Sequence, residues 1–305
     1  MKYKIEKLPG RGYGVIAAKC FQPGDLIMRD HPLIVMPAKV FENDDPDYIE
    51  RWLDKKINRL SSSDREKYYD LSDARSSDFD ELSISPCQTS LGIFNTNCMT
   101  FIDDSAALFP TMARVNHSCS PNAEFFPNSK QYAQDLVATG TIIEGEEITI
   151  TYLHADEENS EEKKIRQWYL KRWYGFTCQC KTCSLEGDLL QSDDNLRKSI
   201  KILQTQDLKD LTLIELDELV DKLRITHSKL KYLKEVLEIA LEKAVQENDL
   251  VLSAKFFAEH ELIDTIIKKD VDDYQDESEK SISSQNKPEL KIVEIDYCNF
   301  LFSIS

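Results

Sequence analysis

Long apolar stretches are missing from this 305-residue chain. No charge-free run approaches the roughly 20 residues that cross a bilayer, and the start Met1-Lys-Tyr-Lys-Ile-Glu6 has no apolar centre of the kind a secretory signal needs. We expect a soluble, intracellular protein. Cations are scarce as well: 38 Lys+Arg face 55 Asp+Glu, a formal net charge of −17. The deficit is uneven, 22 against 28 in residues 1–185 (net −6) and 16 against 27 in residues 186–305 (net −11). Such a surface repels phosphate backbones and attracts cationic partners, which argues against nucleic acid and for a basic protein partner. Cysteine is thin, eight in the whole chain with only Cys87 between positions 21 and 97. That density does not make a disulfide scaffold.

What cysteine there is concentrates in Cys178-Gln-Cys-Lys-Thr-Cys183. Three thiols this close are costly as thiolates unless a soft cation neutralises them, so Cys-x-Cys-x2-Cys reads as a metal signal that leaves zinc one ligand short of a tetrahedron. The rest of the pattern is mixed. Residues 3–35 alternate apolar and polar side chains around turn signals and read as short antiparallel strands, with Gly10, Gly12 and Gly14 permitting close approach of the backbone. Asp45 as N-cap and Pro46 at the first turn open a helix that carries Tyr48, Ile49, Trp52, Leu53 and Ile57 at helical spacing. Ser63-Asp64 opens a shorter helix through Tyr69, and residues 72–80 read as a mobile loop. Residues 93–102, 134–138 and 148–152 alternate like strands, and residues 163–173 read as a helix. Beyond Gly187 the apolar residues recur at three-and-four spacing over 195–204, 213–223, 228–246 and 250–268, with Leu230, Leu233, Val236, Leu237, Ala240 and Leu241 forming one stripe. Residues 270–288 are polar and acidic and read as disordered, whereas 290–302 regain an apolar pattern and read as docking back.

The densest chemistry lies in Arg114-Val-Asn-His-Ser-Cys-Ser-Pro-Asn122, where an amide, an imidazole, a thiol and a second amide surround one proline. Pro121 pushes Ser120 towards extended geometry, so the stretch is an irregular segment of the kind that holds sites. It resembles the Asn-His-Ser-Cys-x-Pro-Asn signature of SET-domain protein lysine methyltransferases. Gly10–Gly14, Gly145-Glu-Glu-Ile-Thr-Ile-Thr-Tyr152 and Cys178–Cys183 resemble other motifs of that family and follow in its order. The insert lies where the related SMYD enzymes carry a zinc-binding MYND finger, which Cys87 alone cannot build.

The resemblance implies an α+β chain: a SET-domain β-fold of short antiparallel strands with a pseudoknot, a helical insert, a zinc-binding post-SET segment and a helical C-terminal region. The divisions are 1–40 and 91–155 for the two parts of the SET domain, 41–90 for the insert, 156–186 for the post-SET segment and 187–305 for the helices. The last are similar to the tetratricopeptide-like body of SMYD proteins, without a 34-residue repeat. Arg11, Gly12, Tyr13, Asn97, Asn116, His117, Tyr152 and Phe176 are implied to contact S-adenosylmethionine, although Met99 stands where the SMYD strand has an aromatic residue. Asn116 and His117 would hydrogen-bond the adenine and backbone side of that cofactor. Tyr152, Tyr174 and Phe176 are implied to wall a lysine channel, with Tyr152 catalytic. Cys119 is the implied fourth ligand of one structural zinc beside Cys178, Cys180 and Cys183, while Cys20, Cys87, Cys98 and Cys298 are expected not to be ligands. The implied activity is transfer of a methyl group to a lysine of a histone or other basic protein by a nuclear or cytoplasmic monomer that touches neither nucleic acid nor membrane. The other reading is a SET-like scaffold that binds basic peptides.

Overall fold

A computed structural model describes residues 1–74, 88–153, 161–226 and 229–272. Its N-terminal half is built on strands of two to six residues in three small sheets. Strand β1 (Tyr3–Leu8) turns through Gly10 onto β2 (Gly12–Ala17), pairing Tyr3 with Ala17 and Leu8 with Gly12. β2 continues antiparallel to β10 (Glu147–Ile150), which lies parallel to the two-residue β7 (Asn116–His117). The second sheet orders β3 (Leu26–Asp30), β9 (Ala133–Ala138) and β8 (Ala123–Asn128), and the third β4 (Ile34–Met36), β6 (Ala106–Leu108) and β5 (Cys98–Thr100). Alternation sends Val15, Ile27, Leu136 and Ile148 into one apolar core with Phe21, Phe109 and Met112. The edge strand β8 escapes the alternation pattern because it carries Glu124 and Pro127, and proline is tolerated where only one neighbour pairs.

Among the described residues four helices cover one flank. α1 (Ala38–Phe41) is a single turn, and α2 (Pro46–Ile57) starts as its residues dictate, with Asp45 accepting from the Asp47 N–H and Pro46 in the first turn. It buries Ile49, Leu53 and Ile57. α3 (Ser62–Tyr69) is capped by Ser61 instead of the expected Ser63, because that places Asp64 at the third position, where its N–H reaches the Ser61 hydroxyl. The expected strand over 93–102 is half helix: α4 (Ser90–Asn97) precedes the short β5. Thr89 Oγ1 accepts from the Gly92 N–H at 2.8 Å and starts the turn, and consecutive Ile93 and Phe94 are both fully buried, which a half-exposed strand cannot achieve. Beyond residue 74 the expected mobile loop over 72–80 lies outside the described residues.

The second half is helical: α5 (Lys163–Tyr174), α6 (Gly187–Gln204), α7 (Leu213–Ile225), α8 (Leu230–Gln246) and α9 (Leu250–Asp272). The stripe on α8 buries Leu230, Leu233, Val236, Leu237 and Ala240 against Leu216, Leu219 and Leu223 of α7 and Phe256 of α9. Val137 of β9 and Phe126 of β8 join the same cluster, so the helices and the second sheet share apolar surface. Among the described residues no helix is long and apolar enough to cross a membrane. The stretch 270–288, expected to be disordered, begins as helix, since 270–272 end α9; the rest of it and 290–302 lie outside the described residues. α7 opens with a capping box in which Thr212 accepts from the Glu215 N–H and Glu215 accepts from the Thr212 N–H. Thr212→Ala is expected to cost about 1 kcal/mol, read as a lower urea midpoint at unchanged slope.

Candidate active site and metal centre

The segment 116–122 is laced to β10 from end to end. Ser118 N–H donates to Ile150 O at 2.9 Å, and Asn122 accepts from Thr149 N–H at 2.9 Å while its own amide donates to Glu147 O at 2.9 Å. Upstream, Asp30 accepts from the Thr111 and Met112 N–H groups and fixes the turn that leads in. Asn116 therefore faces the glycine strand, donating from Nδ2 to Tyr13 O at 3.1 Å and to Glu147 Oε1 at 2.9 Å. Glu147 Oε2 also holds Arg11 at 2.8 Å. Gly14 keeps this contact close: a Cβ would run into Leu8 Cδ1 and stand 3.0 Å from both Asn116 Nδ2 and Glu147 Oε1, so these side chains would have to shift. Arg114 lies over the Tyr13 ring at 5.1 Å and pairs with Asp70 at the end of α3, tying the insert to the same strand. Glu147 and Arg114 lie within the quoted motifs, which assign neither of them a role.

Tyr152 follows β10 and stands between two environments. Its ring centroid is 4.9 Å from Tyr174, 5.4 Å from His117 and 6.2 Å from Phe176. Its hydroxyl donates to Val115 O at 2.7 Å, and Tyr174 donates to Tyr152 O at 3.1 Å. Burial, and then the charge of Glu147, push the Tyr152 pKa up, so the hydroxyl keeps its proton. Tyr152 and Tyr174 also line a cavity of about 400 Å³ bounded by Val115, Phe125 and Ile150 and, from the helices, Leu223, Leu230 and Leu233. Asn97 lines this cavity too, with its amide nitrogen donating to Ser72 O and Ile93 O at 2.7 Å.

The His117 ring is held from both sides. Its Nδ1 accepts from the Tyr152 N–H at 2.9 Å and its Nε2 meets Cys119 Sγ at 3.3 Å, so both ring nitrogens are engaged inside the protein. Burial pushes its pKa down to about 4. The ring is neutral at pH 7, and the accepting Nδ1 places the proton on Nε2, directed at the sulfur.

Cys119, Cys178, Cys180 and Cys183 converge with all four sulfurs within 4.8 Å of one another. Tetrahedral zinc with bonds of about 2.3 Å needs sulfurs about 3.8 Å apart, and Cys119 and Cys183 stand at 3.5 Å. The donor set fits. Main-chain N–H groups of Cys119 and Cys183 point at Cys180 Sγ, and that of Cys180 at Cys178 Sγ. Four thiols alone cannot all ionise: hydrogen bonds, first with Cys178, push Cys119 up, while those from Cys119, Cys178 and Cys183 push Cys180 down. A doubly charged soft cation removes that conflict. Gly175, at φ 71°, ends α5 and turns the chain so that Gln167 can clamp Cys178 through two hydrogen bonds of 2.7 and 2.8 Å. Among the described residues Cys20 and Cys98 stand outside this group, and Cys87 and Cys298 lie outside the described residues.

Residues 12–153 match the family model of the SET domain, and this part of the chain is a SET domain. Curated proteins of the SMYD and set5 kinds are among those it is similar to. Histone-lysine N-methyltransferase set5 of Schizosaccharomyces pombe is 26% identical over 196 residues, which cover 64% of this chain and 54% of that protein. Histone-lysine N-methyltransferase SMYD1 of Homo sapiens is 32% identical over 172 residues, covering 48% and 33%. Protein-lysine N-trimethyltransferase SMYD5 of Danio rerio is 35% identical over 110 residues, covering 35% and 26%. The chain thus spans between a quarter and about half of the length of these relatives.

Proposed function

We propose that the chain is a protein-lysine N-methyltransferase that moves the sulfonium methyl of S-adenosylmethionine to a lysine ε-amine of a histone or other basic protein. The supporting observation is the position of Tyr152, with a protonated hydroxyl and one flank on a 400 Å³ cavity. The cavity takes the target lysine, and its walls of Phe125, Tyr174 and Leu230 favour a desolvated alkyl chain. The cofactor lies along Arg11-Gly12-Tyr13 and Asn116, with Phe176 packed on it. S-adenosylmethionine supplies the electrophilic methyl. The protein's own work is to hold the amine in line and neutral. Bringing lysine from about 10.4 to neutral pH amounts to roughly 4–5 kcal/mol, and aromatic, desolvated walls beside a sulfonium push that way without a carboxylate base. Tyr152 orients the amine and stabilises charge as it moves from sulfur to nitrogen. Zinc on Cys119, Cys178, Cys180 and Cys183 is structural, holding Phe176 in place. A monomer in the nucleus or cytoplasm accords with this reading.

Incubation with labelled S-adenosylmethionine and a panel of histones, ribosomal proteins and translation factors, followed by mass-spectrometric mapping, is expected to find label on lysine. Calorimetry showing no cofactor binding at millimolar concentration would sink the enzyme reading and leave a peptide-binding scaffold. A smaller effect tests the cofactor side. Glu147→Ala removes a charged acceptor from Asn116 and from Arg11; the exposed Arg11 pair contributes little, the bond to Asn116 more. The dissociation constant for S-adenosylmethionine is expected to rise about tenfold, with kcat at saturating cofactor within a few-fold. Unchanged affinity would show that Asn116 keeps its place without Glu147.

A further inference from the structure

Arg166 on α5 is 0% exposed, yet carboxylates do little to balance it. The carboxylate within ion-pair reach among the described residues is Asp193 on α6, whose Oδ2 lies 3.5 Å from Arg166 Nη2 and closer, at 3.0 Å, to Arg197 Nε. Arg166 Nη1 donates to Glu161 O at 2.5 Å, and its Nε has no hydrogen-bond partner among the described residues. A buried guanidinium held so loosely by carboxylates is expensive unless another negative group stands beside it. The candidates are the sulfurs. Arg166 precedes Leu170 by one turn on the helix that packs against Cys119, Cys178 and Cys183. Asp193, shared by Arg166 and Arg197, ties that guanidinium to a second one that bonds the main chain of Cys119. Arg197, 1% exposed, reaches the same centre through its Nη2 to Cys119 O at 3.4 Å.

We propose that Arg166 is the counter-cation of a metal tetrathiolate and sets that centre's affinity for metal, with Arg197 locking α6 to the same point. The inference rests on the zinc reading. Four thiolates around one divalent ion carry a net charge of −2, which a wall of Leu153 and Leu170 cannot solvate. Arg166 supplies a fixed positive charge there without giving up a proton, which a lysine in the same burial would do more readily. The metal centre then joins three parts of the chain: Cys119 of the 116–122 segment, Arg166 of α5, and Arg197 with Asp193 of α6.

The test uses the full chain, zinc-loaded, and reads the zinc dissociation constant by competition with a chromophoric chelator. Cobalt reconstitution in parallel reports the four thiolates by their charge-transfer absorption. Arg166→Met keeps volume and removes charge, and is expected to weaken zinc at least tenfold; Arg166→Lys should recover most of that. Asp193→Asn separates the roles by sign. If Arg166 balances the thiolates, removing a negative neighbour leaves zinc as tight or tighter. If Arg166 is only an anchor for Asp193, Asp193→Asn weakens zinc as much as Arg166→Met, and the proposal fails. It also fails if Arg166→Met leaves the constant unmoved while wild type holds zinc on four thiolates. Should Arg166→Met not fold, the sign of Asp193→Asn and the affinity of Arg166→Lys decide. A wild-type chain that takes up no metal sinks the zinc reading itself, and this inference with it.

Discussion

Cys178→Ser is expected to empty the metal centre and free the segment that carries Tyr174 and Phe176. Structural zinc in small thiolate sites contributes on the order of 10–16 kcal/mol of apparent binding free energy, and a hydroxyl is a poor substitute for one of four thiolates. Without the ion, the 174–185 segment keeps the Gln167 clamp, the Ser120–Thr182 contact, the Tyr174 bond to Tyr152 O and the Lys163 bond to Leu185 O, hydrogen bonds worth about 1 kcal/mol each. That is too little to hold a loop against its conformational entropy of about 1–2 kcal/mol per residue. Elemental analysis should therefore fall from one zinc per chain to a small fraction, and limited proteolysis should open new sites within 174–185. S-adenosylmethionine should bind at least tenfold more weakly, since Phe176 and the Cys119 contact of His117 are both disturbed. Cys20→Ser, at an exposed thiol outside the group, should change none of these. Full zinc content in Cys178→Ser would show that the sulfurs converge for some reason other than metal.

Much of this site was legible because short motifs carry their own physics. Three thiols in six residues announce a cation, and a stripe at three-and-four spacing announces α8. The legible parts are local. Alternation of Ile93, Asn95 and Asn97 favours a strand, and the features that decide for helix are Thr89 as cap and the burial of Ile93 and Phe94 in a cluster built from α1, α2, α3, β4 and β6. The partners of the His117 ring are illegible for a similar reason. The motif located the ring, whereas its two nitrogens are claimed by Tyr152, 35 residues away, and by Cys119 at the metal centre.

Charged residues were the least legible. Glu147 reads as half of a surface Glu-Glu turn, and Arg166 as one more cation on a basic helix. Each has its meaning only across the fold, Glu147 31 residues from Asn116 and Arg166 27 residues from Asp193. One signal for Arg166 was available: it occupies the position one turn before buried Leu170, on the apolar side of α5. A cation on an inward face implies an anion opposite, and the cysteine cluster was the nearest unexplained source of one.

Tyr152→Phe is expected to separate chemistry from binding with one atom. The ring contacts with Tyr174, His117 and Phe176 survive, and the lost bond to Val115 O costs stability only about 1 kcal/mol. S-adenosylmethionine should bind within a few-fold of wild type. If the hydroxyl aligns the amine and meets charge that develops during transfer, its absence matters most in the transition state, so kcat should fall while the Michaelis constants barely move. A loss of about a hundredfold, or roughly 3 kcal/mol, is the size seen when one preorganised hydrogen-bonding group is removed. The pH dependence gives an independent check. Burial pushes the Tyr152 pKa up, so the hydroxyl does not ionise in the range where the rate rises with pH, and that rise belongs to the substrate amine losing its proton. Tyr152→Phe should lower the plateau and leave the position of the rise in place. If instead the rise disappears in the variant, Tyr152 itself carries the titrating proton; if single-turnover activity on a verified substrate is unchanged, Tyr152 is structural. In that second case the orienting role moves to Tyr174, whose hydroxyl lies 3.1 Å from the Tyr152 carbonyl and whose ring lines the same cavity.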